Sequence, residues 1–107
     1  MIEVQREAGE AEHAQQQKRM LYDLDTAIKI LKYLASLPNK EATVTDIVKG
    51  AHISYSTARA YIPWLAERGL VEVREEGKRK IVKITPRGIE LLLAVARVYS
   101  ILGIPFE

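Results

Sequence analysis

The stretch His52-Ile53-Ser54-Tyr55-Ser56-Thr57-Ala58-Arg59-Ala60-Tyr61-Ile62-Pro63-Trp64-Leu65-Ala66-Glu67-Arg68-Gly69 decides how the chain folds. Ser54 is a good N-cap, because its hydroxyl can accept a hydrogen bond from a backbone N–H of the first turn. Ala58, Ile62 and Leu65 recur at helical spacing and form an inward stripe. Gly69 after Arg68 is a C-terminal stop, since glycine adopts the left-handed conformation that ends a helix. The pattern predicts a helix over 54–68, with Tyr55, Ser56, Arg59, Ala60 and Pro63 facing out and Thr57 and Tyr61 on its flanks. Pro63 lacks an amide proton and collides with the preceding turn, at a cost of about 3 kcal/mol inside a helix, so a kink after Ile62 is expected.

Upstream, Ala42-Thr43-Val44 is short and β-leaning, and Thr45 before Asp46-Ile47-Val48 reads as the N-cap of a short helix reaching about Ala51. Further back, Leu21, Leu24, Ile28, Leu31, Leu34 and Leu37 recur at three and four residues, one face of an amphipathic helix ended by Pro38-Asn39. Downstream, Leu70 to Arg74 and Lys80 to Thr85 are β-leaning runs around the turn Glu75-Glu76-Gly77-Lys78-Arg79. Thr85-Pro86 puts a capping hydroxyl ahead of a proline at the first helical position, opening a last helix over 86–102 before Gly103 and Pro105 stop it. Residues 1–20 hold few large apolar side chains and form either a frayed tail or a solvated helical extension.

Helix, short strand, helix, helix, two-stranded hairpin, helix is the order of a winged helix-turn-helix domain over 21–103: mainly α with a small β-hairpin (α+β). Asp46-Ile47-Val48, Ile53-Ser54-Tyr55-Ser56-Thr57-Ala58, Leu65, Glu67-Arg68-Gly69-Leu70-Val71 and Ile84-Thr85-Pro86-Arg87-Gly88 together resemble the small winged-helix transcriptional regulators of archaea and bacteria. The resemblance covers roughly residues 24–102. It extends both to short regulators of the MarR and PadR kind and to archaeal chromatin proteins with a winged helix and a coiled-coil dimerisation helix. It implies a third helix in the major groove of double-stranded DNA and a hairpin, or wing, on the backbone or in the minor groove.

Under that implication the DNA-binding residues are Ser54, Tyr55, Ser56, Thr57, Arg59 and Ala60 on the recognition helix, with Lys78, Arg79 and Lys80 on the wing. Arg59 is the base-reading candidate, because a guanidinium can bond guanine O6 and N7 together. Ser56 or Thr57 can meet a phosphate or a base edge at the positive end of the helix. Tyr55 either donates its hydroxyl to a phosphate or packs on the preceding helix. The charge distribution points to the wing independently. The chain carries a net charge of only +2, but residues 71–88 hold six bases (Arg74, Lys78, Arg79, Lys80, Lys83, Arg87) against Glu72, Glu75 and Glu76. A local basic excess suits phosphate contact, although an exposed hairpin can carry lysines for solubility alone.

The last helix has more apolar residues than one protomer can bury. Ile89, Leu92, Leu93 and Ala96 are expected to face the domain, leaving Leu91, Val95, Val98 and Leu102 to a second copy in a two-fold dimer.

Other functions find little support in 107 residues without cysteine. Disulfides, thiolate metal sites and a cysteine nucleophile are excluded. His13 and His52 have no nearby acid at ligand spacing, no glycine-rich phosphate loop occurs, and Glu75-Glu76 point opposite ways on a strand, so no enzyme, metal site or cofactor is expected. The run Ile89 to Ile104 is too short and too charged to span a bilayer, and the acidic N-terminus is unlike a signal peptide; a cytoplasmic, nucleoid-associated protein is expected. A small-molecule effector near Trp64 and Tyr99 is not required, since core packing accounts equally well for both rings. The reading is a homodimeric, sequence-specific transcriptional regulator. Two alternatives stand beside it: an architectural, chromatin or plasmid-partition-type protein that coats DNA with little sequence choice, and a winged helix used only for protein contacts.

Overall fold

The computed structural model describes residues 22–106; the expectations for residues 1–20 and for Leu21 lie outside them. Helix α1 (Leu24–Ser36) starts where Asp23 accepts the Thr26 N–H at 2.7 Å and ends at Leu37, ahead of Pro38-Asn39 as expected. Strand β1 (Glu41–Thr43) runs directly into α2 (Val44–Ala51). The cap of α2 is Thr43, not Thr45: Thr43 Oγ1 accepts the Asp46 N–H at 3.1 Å while its extended backbone still pairs with Ile81. Strand pairing ends one residue before the helix begins, which leaves Thr45 in the first turn. Helix α2 ends on His52, in the left-handed conformation at φ 60°.

Helix α3 (Tyr55–Glu67) is capped by Ser54 as predicted and runs through Pro63 without interruption. Tyr61 is not on its flank. It is 2% exposed and belongs to the core with Ala58, Ile62 and Leu65.

The hairpin is tighter than the sequence suggested. Strands β2 (Val71–Glu76) and β3 (Arg79–Ile84) pair out to Glu76 opposite Arg79, leaving only Gly77 and Lys78 as the connection. Gly77 has φ +63°, and a positive φ at the first of two loop residues is the pattern of a type II′ turn, whose twist matches that of the strands. Strand β1 joins on the other side of β3, giving an antiparallel sheet in the order β1-β3-β2. The inner face of this sheet supplies Ala42, Val71, Val82 and Ile84 to a core shared with Ile30, Leu31, Leu34, Ile47 and Leu65. Two close approaches hold the layers: a methyl group on Gly50 would overlap the Tyr33 ring, and one on Gly88 would overlap the Leu70 carbonyl and Ile84.

Helix α4 (Pro86–Leu102) has the predicted bounds, with Thr85 accepting the Gly88 N–H at 3.1 Å and Gly103 closing it at φ +74°. Its faces differ from the expected ones. Val95, expected outside, is buried within the protomer; Leu91 is half-buried against the core; and Leu93, expected inside, is 66% exposed. The helix is rotated so that Leu93, Val98 and Ile101 line its open side, while Leu102 is exposed in the last turn. Beyond it the chain turns back, and Phe106 packs 5.1 Å from Tyr99 with Lys32 Nζ 4.5 Å above its ring.

Candidate nucleic-acid interface

The start of α3 is built by three hydroxyls. Ser54 Oγ accepts the Thr57 N–H at 3.0 Å and donates to Thr57 Oγ1 at 2.8 Å, so the 3.1 Å contact with Ser56 Oγ is one in which Ser56 donates. Ser54 is thereby spent as a cap, because a hydroxyl has one proton to give. Ala58 N bonds the Ser54 carbonyl. This leaves the amides of Tyr55 and Ser56 without a partner among the described residues, at the positive end of the helix.

One turn on, Arg59 and Tyr55 face a cleft of about 750 Å³ whose opposite wall is the wing tip, Lys78, Arg79 and Lys80. Tyr55 is 56% exposed, and the Arg59 guanidinium carbon lies 5.9 Å from its ring centroid, at the outer limit of a cation–π contact. The floor is apolar, formed by Val44, Ile62, Pro63 and Val73, and the start of α2 closes one end with Thr43, Thr45 and Asp46. The fold thus joins into one concave surface five of the residues that the sequence had nominated in two separate groups. Ser54, Ser56, Thr57 and Ala60 do not line the cleft; Ser54 and Ser56 are exposed beside it at the helix start, and Thr57 and Ala60 are half-buried.

Nothing in the sequence marked Thr43, Thr45 and Asp46 for this cleft: Thr43 read as part of a short strand, and Thr45 and Asp46 as the start of a helix. They arrive because β1 pairs with β3 and carries the start of α2 to the wing.

The six bases of residues 71–88 are not equivalent. Arg74 forms a bidentate pair with Glu41, at 2.9 and 2.8 Å, and its Nε also donates to Glu76 at 2.9 Å. Its side chain crosses the outer face of the sheet from β2 to β1, over the central strand at Ile81, which is 6% exposed. Hydrogen bonding to Glu41 and then Glu76 pushes the Arg74 pKa up. The same bond holds the Glu41 carboxyl below its ordinary value. Arg87 donates Nε to the Arg68 carbonyl at 3.2 Å. Lys78, Arg79 and Lys80 are exposed and take part in no ion pair among the described residues, and they are the three that line the cleft.

Among the described residues no group of His, Cys, Asp or Glu is arranged to hold a metal ion, and no helix is long and apolar enough to cross a membrane.

Comparison with known proteins agrees with this fold. A family model described as winged helix-turn-helix matches residues 19–102. A MarR-family transcriptional regulator from Streptomyces coelicolor, determined in complex with DNA, superposes with a TM-score of 0.68 at 22% identity, covering 91% of this chain and 66% of that one. The DNA-binding protein Sso10a-2 from Sulfolobus solfataricus gives a TM-score of 0.62 at 23% identity over 77% of this chain and 83% of that one. A homodimeric winged helix-turn-helix DNA-binding domain from Mycobacterium bovis gives 0.56 at 27% identity, covering 89% of this chain and 84% of that one. No curated protein matches the sequence.

Proposed function

The chain belongs to the winged helix-turn-helix family, and from that premise we propose that it binds double-stranded DNA as a homodimer and regulates transcription. One observation carries the reading: Tyr55 and Arg59 of α3 and the unpaired bases Lys78, Arg79 and Lys80 of the wing line a single cleft. A sugar-phosphate strand seated there would meet three cations on one side, while α3 enters the adjoining major groove with Arg59 toward the base edges. The free amides at the start of α3 suit a phosphate at the same end. The Streptomyces coelicolor regulator of the same fold was determined with DNA bound, which supports this mode.

The second copy would cover the open side of α4. Leu93, Val98, Ile101 and Leu102 are 66%, 52%, 71% and 65% exposed, a run of large apolar residues that a soluble protomer seldom leaves in water. Of the four residues first assigned to the dimer, Val98 and Leu102 keep that role; Leu93 and Ile101 join them. A two-fold pairing through α4 would set two copies of α3 on half-sites about 34 Å apart, one turn of DNA. Such a protein works in the cytoplasm, on the nucleoid.

The test is to recover sheared DNA of the source organism on the purified protein at moderate salt and sequence it. Enrichment at a few inverted repeats is the expected result. Uniform recovery that is lost on changing Lys78, Arg79 and Lys80 to alanine would mean an architectural, DNA-coating protein instead. No recovery would remove both DNA readings and leave the domain as a protein-contact module.

A further inference from the structure

Behind the recognition helix lies a contact that DNA binding, as described above, does not use. Tyr22, just ahead of α1, lays its ring flat on Trp64, with centroids 4.5 Å apart and planes 8° from parallel. It also meets Tyr61 edge-on at 5.0 Å and 78°. The Arg68 guanidinium lies 4.3 Å from the Trp64 centroid, and since Tyr22 occupies one face of the indole, Arg68 takes the other. Arg68 is fixed there by donating to the Trp64 carbonyl at 3.2 Å. The neighbouring Asp23 holds Tyr61 from both sides: its N–H donates to the phenol oxygen at 2.8 Å, and the phenol hydroxyl donates to its carboxylate at 3.3 Å.

Two consecutive residues from outside the helix therefore grip α3 at Tyr61 and Trp64, on either side of Pro63. This is where the helix is weakest. Proline has no amide proton to give the carbonyl of Arg59, four residues back, so the turn joining the DNA-facing half to the rest lacks one backbone bond. At about 100° per residue, Tyr61 is roughly opposite Arg59 around the axis, so the grip is applied directly behind the base-reading side chain. An ungripped proline turn is free to bend, and a small bend there swings Tyr55 and Arg59 relative to the wing.

We propose that Tyr22 and Asp23 are positioning residues for DNA reading: by clamping α3 across Pro63, they fix the angle at which Arg59 is presented to the bases. The proposal rests on the DNA-binding reading and adds that sequence choice, but not phosphate affinity, depends on residues that touch no DNA.

The test compares the wild type with Tyr22→Ala, Tyr22→Phe and Tyr61→Phe. Affinity is measured for the preferred duplex and for an unrelated one over a salt series, with thermal unfolding to show that each variant is folded at the assay temperature. Tyr22→Ala should lower the ratio of preferred to unrelated affinity about tenfold, the scale of one good base contact, with the salt slope unchanged because the wing is intact. Tyr61→Phe should lower the ratio in the same direction, by removing the Asp23 grip alone. Tyr22→Phe keeps the ring and should restore the wild-type ratio. Should Tyr22→Ala lower only the unfolding temperature, leaving the ratio of the folded protein unchanged, the clamp is merely structural and the proposal fails. A wild type with no preference among duplexes overturns it too; that failure belongs to the DNA reading and is distinguished by the wild-type ratio itself.

Discussion

Changing Lys78, Arg79 and Lys80 together to alanine should flatten the salt dependence of DNA binding by an amount the structure allows to be worked out. Of the six bases in residues 71–88, Arg74 is bound to Glu41 and Glu76, and Arg87 bonds the Arg68 carbonyl. Lys83 lies opposite Glu72 on the outer face of the sheet, away from the cleft. Three cations remain for phosphates. Each phosphate contact contributes about 0.9 to the slope of log affinity against log salt, so the triple variant should lose about 2.7 per protomer and about 5 per dimer. Between about 50 and 200 mM salt, a slope difference of about 2.7 is a difference of roughly 40-fold in how far affinity falls. Fluorescence anisotropy with a labelled duplex at four or more salt concentrations gives the slope directly. Arg74→Ala is the control: it removes a base from the same hairpin, but one already neutralised, and should leave the slope as it was. An unchanged slope in the triple variant, or an equal loss in Arg74→Ala, would refute the assignment of the free charge to the wing tip.

Other outcomes follow from the same geometry. Arg59→Ala should relax choice at one base position in each half-site and cost about 1–3 kcal/mol on the preferred duplex, as read by selection from a randomised pool. Ile101→Asp should convert the proposed dimer to a folded monomer, seen as a halved mass in sedimentation equilibrium with little change in the far-ultraviolet circular dichroism. Gly50→Ala should lower stability by about 1–3 kcal/mol in denaturant melts, because the added methyl meets the Tyr33 ring. The Glu41 and Asp23 carboxyls bind protons less tightly in the folded chain, the first through Arg74 and the second through the Thr26 amide and hydroxyl. Their stabilisation is therefore full above the ordinary carboxylate values and is lost as pH falls through the lowered folded ones, so the melting temperature should drop on acidification; Arg74→Met should blunt the Glu41 share of that drop.

Much of the fold was legible because its signals are local. Ser54 and Thr85 cap the helices they were expected to cap, since a hydroxyl meets an amide only three residues away, and Gly103 ends α4 where glycine can turn left-handed. The wing and its basic tip could be read from alternation and charge, which need no knowledge of neighbours. The α2 cap was misread because Thr43 and Thr45 are both plausible hydroxyls, and only the pairing of β1 with β3 chooses between them.

What the sequence determined by itself was the order of elements, the caps of α3 and α4, the stop of α4, and the basic tip of the hairpin. Periodicity, capping and charge act within a few residues and carry over to any context. The tertiary structure alone decided which of two apolar faces of α4 turned inward, that Tyr61 entered the core, that Arg74 was consumed by Glu41, and that α2, α3 and the wing share one cleft. In each case the local pattern admits more than one arrangement of nearly equal merit. The choice is made by contacts between residues far apart in the chain, which exist only once the layers have packed.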